Sequence, residues 1–96
     1  MKKLLPVLLL GAISALAGQY TGYIVDSNCA SKKAMWTNQQ CTEGCLRHGA
    51  KLVLATEDGK VYQIADQSKV KSHIAQKVTI DGTLNGDTIS VQSVKM

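Results

Sequence analysis

The stretch KVTIDGTLNGDTISVQSV, residues 77–94, carries the strongest structural signal in this 96-residue chain. Its first half places Val78 and Ile80 on one face and polar residues on the other, a spacing typical of a half-buried strand. Asn85-Gly86 then reverses the chain, because Asn-Gly is a preferred two-residue hairpin turn. The stretch therefore predicts a β-hairpin.

Earlier residues repeat this pattern. Asp58-Gly59 lies between two apolar runs and predicts a second hairpin. QYTGYIVD, residues 19–26, is rich in aromatic and β-branched residues and ends at an Asp-Ser-Asn turn cluster, which is typical of a strand. Together these signals predict five strands, at residues 19–26, 51–56, 60–65, 77–84 and 88–94.

Two segments break the strand pattern. Thr37-Asn38-Gln39-Gln40 has the form of a capping box with Thr37 at the N-cap, and Gly49 supplies a stop, so we predict a helix over roughly 38–48. Asp66 is a good N-cap for a short second helix over 67–75.

These elements predict a mainly β fold. Five short twisted strands bury an apolar face best by curling on themselves, so we expect a five-stranded OB-like antiparallel barrel. One helix lies in the connection between the first and second strands, and a short helix lies between the third and fourth. A two-layer α+β sandwich is the alternative. The predicted core consists of Ile24, Leu52, Leu54, Ile64, Val70, Ile74, Val78, Ile80, Ile89 and Val91.

The N-terminus predicts export. Met1-Lys2-Lys3 is a short basic region, the segment 4–16 is almost wholly apolar, and Ala15-Leu16-Ala17 has the small-x-small form of a signal-peptidase site. The apolar run is shorter than the roughly 20 residues needed to span a bilayer. We therefore expect a signal peptide over 1–17 and one mature domain over 18–96, located in the periplasm or secreted, without a membrane span.

Charge excludes some classes of partner. The formal net charge is +4 for the whole chain. Loss of Lys2 and Lys3 with the signal peptide lowers it by two to +2, which is too mild to indicate binding to nucleic acid. We expect a monomer whose partner is an unidentified small ligand or protein.

Three cysteines and one histidine fall close together: Cys29, Cys41, Cys45 and His48. On a helix the last three stand at i, i+4 and i+7 and project from one face. Exported proteins favour oxidised cysteines, so we expect a disulfide from Cys29 to Cys41 or Cys45, with one thiol left over. A bridge between Cys41 and Cys45 is disfavoured because their side chains run parallel.

Two alternatives remain open for the same residues. Three thiolates and one imidazole, from Cys29, Cys41, Cys45 and His48, suit Zn(II) or Cu(I), and the odd cysteine count favours this. Otherwise the thiols form a redox module. The default prediction is a protein without a cofactor.

Five stretches spread over most of the mature chain carry a resemblance: TGYIVDSNC (21–29), Cys41-x3-Cys45, GAKLVL (49–54), DGKVY (58–62) and VTIDGTL (78–84). On these stretches the chain resembles a family of small exported bacterial proteins of unknown function and, more loosely, is similar to periplasmic bacterial OB-fold proteins. The resemblance implies an OB-like barrel and brings no established activity. Family members often have Gly and, a few residues later, His after the first cysteine, where this chain has Ala30 and Lys33 or Ala34.

The remaining residues favour binding over catalysis. We find no paired carboxylates, phosphate loop or triad-like order, so we expect no enzyme. In OB barrels the first connection and the last hairpin flank the usual binding face, which makes Trp36, Tyr23, Tyr62 and Asn85 the candidate rim of a ligand site. Trp36 has a second interpretation, as a plug for the end of the barrel. We predict an exported, disulfide-stapled OB-like module for binding or structure.

Overall fold

The computed structural model describes residues 15–96, and the predicted signal peptide therefore lies almost wholly outside the described residues. Within this part the chain is mainly β. Two 3-10 turns, Lys33–Met35 and Lys71–His73, accompany the regular elements. In chain order the strands and helices are β1 (Ala15–Asp26), α1 (Gln39–Arg47), β2 (Leu52–Ala55), β3 (Val61–Ile64), α2 (Gln67–Val70), β4 (Lys77–Asn85) and β5 (Thr88–Lys95).

All five strands pair into one closed sheet in the order β1-β2-β3-β5-β4. β4 returns to β1 and pairs with it from Ala15 to Tyr23. The expectation of an entirely antiparallel sheet is wrong at one seam, because β3 and β5 pair in parallel through Gln63↔Thr88 and Ile64↔Ile89. β2 and β4 both run antiparallel to β1. β3 is antiparallel to β2, and β5 is antiparallel to β4, so β3 and β5 both run in the direction of β1 and are parallel to each other.

The sheet encloses one apolar core. Nine of the ten predicted core residues form it, and the tenth, Ile74, is half-buried against its edge. Along β4 the buried residues alternate with more exposed neighbours, as the period of two of a strand requires. The core residues are Ile24, Leu52, Leu54, Ile64, Val70, Val78, Ile80, Ile89 and Val91.

Two strand glycines allow the sheet to bend tightly. A Cβ at Gly22 in β1 would collide with the carbonyl oxygen of Ala55, and a Cβ at Gly82 in β4 would collide with that of Ser90. Gly82 also stands at the one irregularity in the β4–β5 register. Glycine is therefore required at both positions by the close approach of the neighbouring backbone.

Both predicted hairpins are confirmed. β2 and β3 are antiparallel neighbours joined by residues 56–60, which include Asp58-Gly59. β4 and β5 are joined by Gly86-Asp87, one position later than predicted, because Asn85 already pairs with Thr88. The glycines have φ values of 93° and 68°, which only glycine adopts without strain.

The helices differ from their predictions at the ends. α1 begins after Asn38, and not after Thr37, because the Asn38 side chain accepts a hydrogen bond from the Cys41 backbone N–H at 2.9 Å. The predicted helix 67–75 stops early. Its last residues pair with β1 instead, as Ala75 N–H donates to the Ile24 carbonyl at 2.7 Å.

No helix in the described part of the chain, residues 15–96, is long and apolar enough to cross a membrane.

Candidate functional site

The segment between β1 and β2, residues 27–51, is here called the excursion, and it brings all three cysteines together. Cys41 and Cys45 lie one turn apart on the same face of α1, and Cys29 lies in the turn that follows β1. The three Sγ atoms lie within 4.8 Å of one another. The closest pair is Cys29 and Cys41, whose Sγ atoms are 2.9 Å apart. All three are free thiols in the structure.

Asp26 at the end of β1 positions Cys29. Its carboxylate Oδ2 accepts hydrogen bonds from the backbone N–H groups of Asn28 at 2.9 Å and Cys29 at 3.1 Å. The Asp26 carbonyl oxygen also accepts from the N–H groups of Cys29 and Ala30. An aspartate that closes a turn on its own backbone is typical of Asx-turns, so the tight turn holds Cys29 beneath the helix.

The Asp26 carboxyl group is buried and faces the thiols. Burial by itself would raise the pKa of Asp26. Hydrogen bonding by the thiols of Cys29 and Cys45 and by backbone amides outweighs burial, so this pKa lies below its usual value. Oδ1 has no hydrogen bond of normal geometry among the described residues.

The same interactions act on the thiols in the opposite direction. The hydrogen bond with Cys41, burial and the Asp26 carboxylate raise the pKa of Cys29 strongly. The pKa of Cys45 is also raised, first by Asp26 and then by burial. A thiol beside a carboxylate resists ionisation because the two negative charges repel each other.

Trp36 fastens the excursion to the outside of the sheet. It is 6% exposed and packs with Val25, Val53 and Ala55, which point away from the interior core. Its indole Nε1–H donates to the Ala30 carbonyl at 3.0 Å. The interpretation of Trp36 as a plug for the end of the barrel is therefore wrong, because it covers the outer face of β1 and β2.

His48 does not join the cysteines. It is the exposed C-cap residue of α1 and lies outside the cluster that the three Sγ atoms form. Of the four predicted metal ligands, the structure thus brings together the three cysteines and leaves out His48. The sequence prediction aligned His48 with the cysteines by assuming that the helix continues through residue 48. α1 instead ends at Arg47, one residue earlier.

The candidate rim residues separate into three places. Tyr23 packs against Trp36 on the outer face, with ring centroids 5.5 Å apart. Tyr62 instead meets Tyr20 edge-on, at a centroid separation of 5.6 Å, and packs against the interior core. Asn85 is the last residue of β4 and pairs with Ala15 of β1. Ala15 and Tyr23 are eight positions apart in β1, about 26 Å at about 3.3 Å per residue, so the structure does not bring Asn85 to Tyr23 and Trp36.

A cavity opens beside the Tyr20–Tyr62 pair. It has a volume of about 340 Å³ and is also lined by Thr56, Asp58 and Lys77. Lys77 forms an ion pair with Glu57 at 3.5 Å across its mouth. Aromatic walls with a few polar groups are typical of small-ligand sites.

Sequence reasoning missed Asp26 as part of the cysteine site, since it treated Asp26-Ser27-Asn28 only as a turn. One signal was available: the aspartate directly follows the apolar residues Ile24 and Val25 and stands three residues before a cysteine. Its carboxylate is fully buried although carboxylates are rarely buried without a partner.

Fold and site define a small closed β-sheet protein with a helical excursion that gathers three thiols around a buried carboxylate. The chain belongs to the family described as "Protein of unknown function (DUF5818)", whose model matches residues 43–96. The matched part includes Cys45 and β2 to β5. No curated protein and no solved structure matches the chain.

Proposed function

We propose that this protein is an exported OB-like binding module whose excursion is stapled by a disulfide between Cys29 and Cys41. Export to the periplasm or the medium follows from the predicted signal peptide, and the mature protein acts there as a monomer. The 2.9 Å separation of the Cys29 and Cys41 Sγ atoms is the observation that carries the proposal.

Topology supports the OB-like class. Five strands in the order β1-β2-β3-β5-β4, a long first connection and a short helix between β3 and β4 match the arrangement expected of that barrel. A barrel of this class does not by itself specify a ligand, because the ligand depends on the residues of the binding site.

The disulfide is supported by proximity and by compartment. The two Sγ atoms need to approach by about 1 Å to reach the S–S bond length of about 2.05 Å. Bond formation removes two electrons and two protons from the thiols and passes them to an oxidant of the export compartment, a disulfide donor or dioxygen. In the chain-entropy model, closing a loop of this size stabilises the fold by roughly 3 kcal/mol.

The thiol redox alternative has less support. A catalytic thiol requires a lowered pKa, because the thiolate is the nucleophile. The pKa values of Cys29 and Cys45 are raised, and Asp26 contributes to both shifts. Both groups are therefore poor attacking thiols and poor leaving groups, which favours a lasting staple over a reactive disulfide.

The cavity at Tyr20 and Tyr62 is the best-supported binding surface. Its aromatic walls offer stacking, and Lys77, Glu57 and Asp58 at its mouth offer charges of both signs. We place a small polar ligand with a planar group there, at the opening beside the β2–β3 turn.

Thiol counting tests the staple. Mature protein isolated under air and left unreduced is expected to have one free thiol, and peptide mapping is expected to join Cys29 to Cys41. Reduction is expected to lower the melting temperature. Cys45→Ser is the matched control, because it removes the spare thiol and leaves the bridge, so its free-thiol count falls to zero. Three free thiols in the air-isolated protein contradict the staple.

A further inference from the structure

We propose that the reduced protein binds one thiophilic d10 cation, Zn(II) or Cu(I), through the sulfur atoms of Cys29, Cys41 and Cys45 beside the Asp26 carboxylate. The site shares Cys29 and Cys41 with the proposed disulfide, so it exists only in the reduced form. It does not depend on the staple being correct.

The distances suit a three-sulfur site. A metal bound to thiolates at about 2.3 Å in a tetrahedron holds its sulfur ligands about 3.8 Å apart. The three Sγ atoms already lie within 4.8 Å of one another. The Sγ atoms of Cys29 and Cys41, which are 2.9 Å apart, have to separate by only about 0.9 Å to reach that spacing.

The ligands come from firmly held elements. Cys41 and Cys45 share one face of α1, whose N-terminus is capped by Asn38. Cys29 is held opposite them by two hydrogen bonds of its own N–H group, to the carboxylate and to the carbonyl oxygen of Asp26. Ligands that are fixed before binding lose little freedom when the cation arrives.

Asp26 is the second, independent observation that indicates a cation. The residue is 0% exposed, and its Oδ1 has no hydrogen bond of normal geometry among residues 15–96. A buried carboxylate with one oxygen left without a hydrogen bond is costly, and a cation bound by the neighbouring thiolates would offset its negative charge. For Zn(II) a water molecule completes the four ligands and Asp26 supplies a neighbouring negative charge, whereas Cu(I) is satisfied by the three sulfur atoms.

Charge and softness select the class of cation. Three thiolates favour Zn(II) and Cu(I) over Mg(II) or Ca(II), which prefer oxygen ligands. Each thiol that binds releases one proton to the buffer, so that one cation and three thiols yield the three-thiolate complex and three protons. No electron transfer is involved.

Metal titration of the full mature protein tests the site. The protein is reduced with a phosphine under anaerobic conditions and titrated with Zn(II) against a chromophoric chelator, and with Cu(I) against a copper(I) chelator. One equivalent of one of the two cations is expected to bind. Co(II) provides a spectroscopic probe, because an intense thiolate-to-metal charge-transfer band is expected only with sulfur ligands.

The variants separate this site from the proposed staple. Cys45→Ser is expected to weaken binding at least tenfold while it leaves the disulfide of the air-oxidised protein intact. Asp26→Asn removes a neighbouring negative charge, so it is expected to weaken the binding of divalent Zn(II) about tenfold and that of monovalent Cu(I) by less. His48→Ala is the control and is expected to have no effect. Circular dichroism verifies that each variant is folded.

Three results overturn the site. They are the absence of stoichiometric binding of either cation, equal affinity of Cys45→Ser and the unchanged protein, and a loss of affinity in His48→Ala as large as in Cys45→Ser. Failure of the disulfide to form leaves the titration of the reduced protein unaffected, so the two proposals fail separately.

Discussion

The barrel and the excursion of this protein are held together by different means. The barrel, formed by β1 to β5, encloses nine buried apolar residues. The excursion, residues 27–51, rests on one tryptophan, one buried carboxylate and three thiols. The barrel therefore depends on apolar area, which any residue of similar shape supplies. The excursion depends on specific chemical groups, so we expect its stability, rather than that of the barrel, to respond to redox state and to metal ions.

The largest expected effect comes from the barrel core. Ile80 in β4 is fully buried, and Ile80→Ala is expected to lower the free energy of unfolding by about 2–5 kcal/mol. The neighbouring Thr79 faces outward, where its hydroxyl bonds that of Thr21 at 2.9 Å. Thr79→Ala is expected to cost less than about 1 kcal/mol, since that bond is exposed to water. Urea denaturation measures both, and equal losses would mean that the alternation of β4 is misassigned.

Glycine substitutions give the next largest contrast. Gly22→Ala is expected to destabilise the barrel by about 1–3 kcal/mol, because the new methyl group meets the Ala55 carbonyl oxygen. Gly44 in α1 has nothing within 4 Å of the position of a Cβ. Gly44→Ala is therefore expected to stabilise α1 by up to about 1 kcal/mol. Thermal unfolding of the two variants should move in opposite directions, and a shift in the same direction would contradict this account of the two regions.

The smallest effect concerns acid stability at the β2–β3 turn of the barrel. A hydrogen bond from the Thr56 hydroxyl lowers the pKa of Asp58 below its usual 3.8. Ionised Asp58 thus stabilises the fold above about pH 4, and this contribution is lost as the pH falls through the lowered pKa. The stability difference between the unchanged protein and Asp58→Asn should shrink from pH 6 to pH 3 in urea denaturation. Thr56→Ser, which keeps the hydroxyl, should retain the pH dependence, and a constant difference for Asp58→Asn would refute the assignment.

Local signals predicted most of the barrel. Asp58-Gly59 and Asn85-Gly86 determine their hairpins because positive φ angles and short loops leave few alternatives. The alternation of apolar and polar residues along β4 predicted Val78 and Ile80 as core residues, and the structure confirms both. The helix over 67–75 was overestimated because its end forms hydrogen bonds to β1, a contact between distant parts of the chain.

The cysteine site was predicted only in part. Spacing on a helix placed Cys41 and Cys45 on one face, and the structure adds Cys29 to them. His48 was expected there as well, but α1 ends one residue before it. Trp36 and Asn85 were expected to border one ligand through analogy of fold, and the strand register places Asn85 at the opposite end of β1 from Tyr23.

The sequence by itself therefore determined the strands, their two tight turns and the apolar face of each, because these depend on neighbours a few residues away. Only the tertiary structure decided that β3 pairs with β5 in parallel, that Trp36 covers the outside of the sheet and that Asp26 lies buried against the thiols. Each of these depends on how the closed sheet brings distant segments together. Packing and electrostatic interactions between such segments do not produce a repeating pattern of apolar and polar residues in the sequence.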